Sequence, residues 1–591
     1  MSDLIYYDPL LFKTPKGVIK KQTKVEFKVK FDKEFEPHKM VMLLKFDADE
    51  SYTEYEMNKS GEFFVCEHLF ENRGHYWYIF RADFDGYSKF INKTFHNYSY
   101  MSDWEGESFF QLVTENEYEC TNSLQGGLIY QIFVDRFCRE GDVKCREPLI
   151  LRDDWGGGIK KNTTDPLIIN LEVFGGTFKG ITKKLNYLKD LGVTTIYLNP
   201  ISQANSSHKY DTADYKKVDD MFGTEQDFKE LIDKAEKKGI NIIIDGVYNH
   251  TGSDSIYFNK ENRFNSNGAY NSENSPYYHW FDWIEYPNKY QSWWGIDTLP
   301  AIKDDSEDFA EFIAGDNGVI EKFMKLGVFG VRLDVVDEIR DKFVKKISNR
   351  VKKHGKHKVI MGEVWEDAAT KVSYGARREY FADNELNSVM NYPIKESILN
   401  FVRSKEPTEL VSTIRMLQNN YPKVVQDNLM NFLTTHDTNR AFTELEIAYG
   451  GNKELAKKLL KICFVLLYTV TGVPSIFYGD EYGMENNDGS SRGCFDWNNN
   501  ENEIYDFVKK LGLIRKLSVL KDGDLNILYA DKGKFVFERI GNGQRLITMV
   551  NMKDSKLKIN LDGKFTSLIS GEEIKDFSLG EFEYEILIEQ K

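Results

Sequence analysis

From about residue 20 to 115, apolar and polar positions alternate in short runs, KVEFKVKF, KMVMLLKF, EFFVCEHLF and HYWYIFRADF, separated by glycine and charged turns. A period of two marks half-buried strands, and the pattern predicts an antiparallel β-sandwich over residues 1–117. Near residue 128 short apolar strands begin to alternate with helical stretches such as DFKELIDKAEKKG, the appearance of a parallel α/β architecture. LIYQIFVDRF, TTIYLNP, INIIIDGVYNH, FGVRLDVV, KVIMGEVW, a weaker segment around YFADNELNSVM, NLMNFLTTHDT and SIFYGDEYG make eight strands. Residues 118–515 are therefore predicted to form an α/β fold of the (β/α)₈ TIM-barrel type. An Asn- and Trp-rich stretch over about 248–303, after the third strand, has no sustained helical period. It is too long for an ordinary connection and predicts a subdomain inserted over the barrel mouth. Alternation returns in LNILYA, KFVFERI, RLITMVNM and EYEILIEQ, predicting a C-terminal β-sandwich over 516–591.

Composition narrows the function classes. A chain of 591 residues, 41 % hydrophobic and 29 % charged, suits a soluble multidomain protein. The 93 acidic and 78 basic side chains leave a net charge of −15, which repels nucleic acid and anionic membranes. No run of eighteen apolar residues occurs, and MSDLIYYDPLLFKTP lacks the basic-then-apolar order of a leader, so a cytoplasmic protein is expected. Six cysteines without a CxxC pair indicate neither a disulfide framework nor a zinc site. The aromatic share of 14 % suits sugar stacking as well as core filling.

The active site of such a barrel lies at the C-terminal ends of its strands. There the sequence puts Asp245, Asn249 and His250 after the third strand, Arg332 and Asp334 at the fourth, Glu363 at the fifth, and His436 and Asp437 at the seventh. Burying carboxylates without partners costs several kcal/mol, so their recurrence at equivalent strand ends points to chemistry. Glycosidic cleavage needs one carboxylate at the anomeric centre and one carboxylic acid on the leaving oxygen, about 5 Å apart if configuration is retained. Acids on adjacent strands meet that need.

DGVYNH (245–250), GVRLDVVDE (330–338), GEVW (362–365) and TTHDTNR (434–440) resemble, in order, the four motif regions of the α-amylase superfamily. Residues 175–201, 206–215 and 472–485 extend the resemblance over about 390 residues, and the domain ahead of the barrel makes it most similar to the neopullulanase, cyclomaltodextrinase and maltogenic amylase group. The resemblance implies a retaining hydrolase of α-1,4-glucosidic bonds in cyclodextrins, pullulan, starch or maltooligosaccharides. Asp334 is then the nucleophile, Glu363 the general acid/base and Asp437 the supporting carboxylate. His250, His436, Tyr210, Arg332, Arg440 and Glu338 are implied to bind substrate, and Asp245 and Asn249 to organise the site. Arg332, on the same strand face as Asp334, is expected to keep Asp334 ionised while Glu363 stays protonated.

The same resemblance marks departures. LPAIK (299–303) stands where relatives carry a signature near MPKLN, which opens the linkage preference to an amylopullulanase-, α-amylase- or α-glucosidase-like hydrolase, or a transglycosylase. DRFCREGD (135–142) offers few oxygens for the structural calcium of some relatives, and no cofactor is required for the chemistry. The starch-binding-module-like N-terminal domain either binds glucan or builds a homodimer. A non-catalytic glucan-binding protein is the alternative outside enzymes, disfavoured because the carboxylate trio is complete.

Overall fold

The structure, a computed structural model, describes residues 5–94, 98–106, 108–116, 123–158, 170–303, 305–381, 385–487, 489–498 and 502–590. The expected boundary at 117/118, Cys120, and residues 382–384 of the weak sixth segment lie outside these.

All eight expected strands close into one parallel barrel. We label them β1 (Ile129–Ile132), β2 (Thr195–Leu198), β3 (Asn241–Gly246), β4 (Gly330–Leu333), β5 (Val359–Val364), β6 (Ser388–Asn391), β7 (Met430–Phe432) and β8 (Val473–Phe477). Strand alternation sorts each strand between two environments. On β4, Val331 and Leu333 face outward into the large core beneath the helices, whereas Arg332 faces the barrel interior. Ile243, Met361, Met390, Met430 and Phe432 fill that interior. The same parity aims Asp245 on β3 and Glu363 on β5 inward, and Asp334 follows β4 directly, its N–H donating to the Gly246 carbonyl at 3.1 Å.

The N-terminal region is a sandwich whose two layers share a strand. Strand Thr53–Ser60 pairs with Lys39–Phe46 along its first half and with Phe63–Phe70 along its second. One continuous eleven-stranded sheet thus folds over a core of Val25, Phe27, Val29, Met40, Met42, Tyr78, Phe80 and Phe110. The C-terminal six-stranded sheet starts at Asp524 and contains the four predicted strands. Its outer layer encloses Val536, Ile547, Met549, Phe565 and Leu587, while Phe535, Phe537, Leu546 and Ile586 join the barrel's outer core.

The inserted segment holds two short 3₁₀ turns and a two-stranded ribbon around an aromatic knot of Tyr257, Phe258, Trp280, Trp283 and Tyr290. LPAIK runs as an extended stitch: Ala301 bridges to His250, Ile302 to Phe281 and Pro300 to Ser292. This segment therefore locks the strand-end residues of β3 in place. Among the described residues, no helix is long and apolar enough to cross a membrane, and Cys66, Cys138, Cys145, Cys463 and Cys494 are free thiols.

Candidate active site

A cavity of about 1010 Å³ opens at the C-terminal ends of the strands. Asp334, Glu363 and Asp437 line it together with Tyr210, His250 and Glu338. Fully buried Arg332 underlies the trio. Its Nη1 donates to Asp245 Oδ1 (2.7 Å) and Asp334 Oδ1 (2.8 Å). Nη2 lies 2.9 Å from Glu363 Oε2, an ion-pair distance without hydrogen-bond alignment. The turn carrying the nucleophile candidate reinforces this: Val335 takes a left-handed backbone (φ 43°), uncommon for a β-branched residue, and its N–H donates to Glu363 Oε2 at 2.8 Å. Trp365 Nε1 donates to the other oxygen at 3.2 Å and its ring stacks on Tyr392 at 4.0 Å.

The electrostatics set the carboxylates of the trio apart. Burial, the largest influence, pushes the Asp334 carboxyl well above the usual carboxylate range; Arg332 pulls it down, and the charges of Glu363, Asp245 and Asp437 push it up again. One guanidinium shared among several acids does not fully compensate Asp334. Asp437 behaves oppositely. Desolvation within the cleft, which raises it, is overcome by His436, whose Nε2 lies 2.9 Å away, and by Arg492, whose Nη2 donates to Oδ1 at 3.0 Å; together they hold its pKa well below the usual range.

Tyr210 is the hub of the opposite wall. Its hydroxyl donates to Asp245 Oδ2 (2.8 Å), contacts His436 Nε2 (2.6 Å) and accepts from Asn199 Nδ2 (3.1 Å), while its ring stacks parallel to His436 at 5.3 Å. Asp245 also accepts from Tyr197 at 2.7 Å, so it organises the site from below. His250 lines the cavity; burial pushes its pKa down to about 4, so it is neutral near pH 7 and Nε2–H donates to the Tyr210 carbonyl at 3.2 Å. His436 is buried behind Tyr210 and Asp437. Glu338 accepts from Asn249 Nδ2 (3.1 Å) and from Trp294 Nε1 (2.8 Å), tying β3's end to the inserted segment.

Arg440 departs from its expected role. It is fully buried, bonded to Asp480 Oδ1 (2.9 Å) and to the carbonyls of Tyr478 and Ser491, and does not line the cavity. It braces the loop after β8. That loop instead delivers Arg492, which sequence reasoning missed along with His208, Trp293, Trp294, Lys371 and the Asp211, Asp254 and Glu261 cluster, all on the cavity wall. These sit on loops without hydrophobic period, so only the need of three clustered carboxylates for counter-charge could have hinted at a cation such as Arg492.

The residues of the loop after β1 do not fit a structural calcium. The oxygens of buried Asp135 accept from Arg136 Nε (2.6 Å), Phe174 N–H (2.9 and 3.1 Å) and Gly175 N–H (2.9 Å). Glu140 pairs with Lys183 at 2.6 Å. A hard cation wants six or more oxygens, and here the Arg136 guanidinium supplies the positive charge while also donating to the Arg492 carbonyl at 2.8 Å.

The segment presenting Tyr210 rests on a buried ion cluster. Asp219 accepts from Arg146 Nη1 and Nη2 (both 2.8 Å), the Ala204 and Met221 N–H groups (3.2 and 3.0 Å), and pairs with buried Lys209 (2.9 Å). Asp219→Ala strands Lys209 and is expected to cost about 3–5 kcal/mol, read as a lower denaturant midpoint. Burial raises the Asp219 pKa, but Lys209 and Arg146 outweigh it and hold it far below the ordinary range. Its contribution is thus full above about pH 4 and is lost as pH falls through its depressed folded value, so the mutant's deficit shrinks in acid.

Comparison with known proteins agrees with this arrangement. The family model for the α-amylase catalytic domain matches residues 131–518. An amylopullulanase of Thermoanaerobacterium saccharolyticum is 34 % identical over 532 residues, covering 78 % of this chain but 40 % of its own length. A cyclomaltodextrinase of Thermoanaerobacter pseudethanolicus is 32 % identical over 440 residues, covering 72 % of this chain and 70 % of its own. The type III pullulan hydrolase of Thermococcus kodakarensis shares the fold, with a TM-score of 0.70 at 24 % identity over 99 % of this chain and 100 % of its own. With strand-end carboxylates, barrel and catalytic-domain match in one place, the chain belongs to the α-amylase family of glycoside hydrolases.

Proposed function

We propose that the protein hydrolyses α-1,4-glucosidic bonds with retention of configuration, on cyclodextrins, pullulan, starch or maltooligosaccharides. The observation that carries this reading is the meeting of Asp334, Glu363 and Asp437 from three strands in one large cavity. Asp334 attacks the anomeric carbon while Glu363 protonates the departing oxygen; Glu363 then takes a proton from water, which breaks the glycosyl–Asp334 bond. Asp437, held anionic by His436 and Arg492, accepts hydroxyl hydrogen bonds as the ring distorts, and Tyr210 offers its face to the sugar.

The reactive form holds one proton on Glu363 and none on Asp334. Because Asp334 sits above the ordinary carboxylate range, kcat/KM is expected to climb only at pH values above about 4. A pH–rate profile already flat at pH 4 would contradict that arrangement.

The amylopullulanase similarity and the LPAIK stitch favour a second reading, in which α-1,6 bonds are cut too. Parallel incubation with β-cyclodextrin, pullulan and soluble starch, with products resolved by size and anomer, separates the two. Ring opening, panose from pullulan and α-anomeric products support the first; maltotriose from pullulan supports the second. β-Anomeric products would remove Asp334 as nucleophile.

A further inference from the structure

The hairpin that follows β5 has no core of its own. Its strands, Val372–Ser373 and Ala376–Arg377, meet at a two-residue turn in which Tyr374 and Gly375 both have positive φ, and neither strand contains a buried residue. A two-stranded ribbon of this kind is marginal alone. The cleft nevertheless depends on it, because Glu366, Lys371 and Asp337 line the cavity, with Lys371 Nζ lying 2.8 Å from Asp337 and donating to Glu366 at 2.7 Å. Lys371 thereby joins the loops after β4 and β5, and its carbonyl accepts the Arg378 N–H at 2.9 Å.

The restraint comes from the N-terminal domain. Asp47 accepts Arg377 Nε at 2.6 Å, Arg377 Nη2 at 3.2 Å and Trp77 Nε1 at 2.7 Å. The Arg377 guanidinium lies 5.2 Å over the Trp77 ring, and its Nη1 donates to the Thr370 carbonyl at 2.9 Å. A second strut, Arg73 to Glu379, spans 2.6 Å. Partial burial alone would raise the Asp47 pKa, yet these donors hold it below its ordinary value, so the carboxylate is ionised near pH 7.

We propose that the N-terminal domain braces the substrate cleft: Asp47, through Arg377, fixes the hairpin so that Lys371, Glu366 and Asp337 form a rigid wall for glucan residues remote from the cleaved bond. Asp47 is then a positioning residue, and the brace sets affinity for long glucans. This rests on the glucan-hydrolase reading above.

Two measurements on the full chain test it. In hydrogen exchange on the ligand-free protein, Asp47→Ala is expected to speed exchange of amides 370–378 about tenfold, the effect of losing a bidentate pair of about 1.4 kcal/mol, with β4 and β5 unchanged. In kinetics, the same variant raises KM for pullulan about tenfold, while kcat, and both constants for maltotriose, stay within about twofold. Asp47→Glu restores most of the difference, and Lys371→Met raises the pullulan KM without adding to the effect of Asp47→Ala. Unchanged hairpin exchange, additive effects, or losses shared equally by maltotriose and pullulan would overturn the brace. If the wild-type protein cleaves no glucan, the functional reading fails, and hydrogen exchange still decides the brace.

Discussion

Asp334→Asn is expected to lower turnover by about 10⁴-fold or more while raising the stability of the folded protein at neutral pH. The first effect follows from removing the nucleophile, since an amide oxygen does not form the glycosyl ester. The second follows from the electrostatics of the free site. Asp334 is raised above its unfolded value by burial and by three neighbouring carboxylates that one arginine does not offset. A raised carboxyl favours the folded state at low pH, and that advantage is lost as pH rises through the folded pKa, so at pH 7 the ionised side chain is a net burden. Asparagine has no such burden and still accepts from Arg332. Thermal scans of the two proteins should separate at pH 7, with the variant melting a few degrees higher, and converge below about pH 4, where aspartate is protonated in both states. Glu363→Gln should show the same collapse of turnover, because its one amide oxygen still accepts the Val335 N–H, with the NH2 group turned to the side of Trp365, but no proton can be delivered. Near-full activity in either variant would remove the proposed chemistry.

Strand ends were legible because burial and charge conflict there. A run such as GVRLD is apolar on one face and carries Arg332 toward the carboxylates on the other, an arrangement with no structural use unless the charges meet. The eight strands and the C-terminal sheet follow from apolar periodicity, and the inserted segment from its length without one. What stayed hidden depends on pairings without period. Strand Thr53–Ser60 serves two partners along its length, which links the two layers of the predicted sandwich. Arg440 and Arg492 are both arginines near a motif, and only the path of the loop after β8 decides that the first is buried against Asp480 and the second reaches Asp437. The raised carboxyl of Asp334 is hidden for a related reason: the strand pattern places Arg332 on its face, and only the fold makes Asp245 and Glu363 compete for the same guanidinium.

That competition makes Arg332 the side chain whose loss should be felt most widely. Arg332→Leu fits the buried volume but leaves Asp245, Asp334 and Glu363 facing one another without a cation. Breaking a buried pair by removing one partner costs about 3–5 kcal/mol, and here three acids lose the same partner. Without the guanidinium the Asp334 carboxyl, already raised by burial, loses the charge that pulls it down, so the stability it contributes at low pH is lost as pH increases through its folded pKa. The deficit relative to wild type should therefore be small below about pH 4 and grow toward neutrality, whereas the deficit of Asp219→Ala is already full at about pH 4 and shrinks only in stronger acid. Denaturant titrations of both variants at pH 4 and pH 7 read the difference: the Arg332→Leu deficit should widen between them, and that of Asp219→Ala should stay constant. Turnover in Arg332→Leu should fall even in acid, where the fold survives, because Asp334 is then protonated and held in no fixed direction. Arg332→Lys restores one charge but not the fork that spans Asp245 and Asp334 on one side and approaches Glu363 on the other, so it should recover part of the stability and little of the activity. A lysine variant with full activity would show that charge alone, without the fork, sets the geometry of the trio.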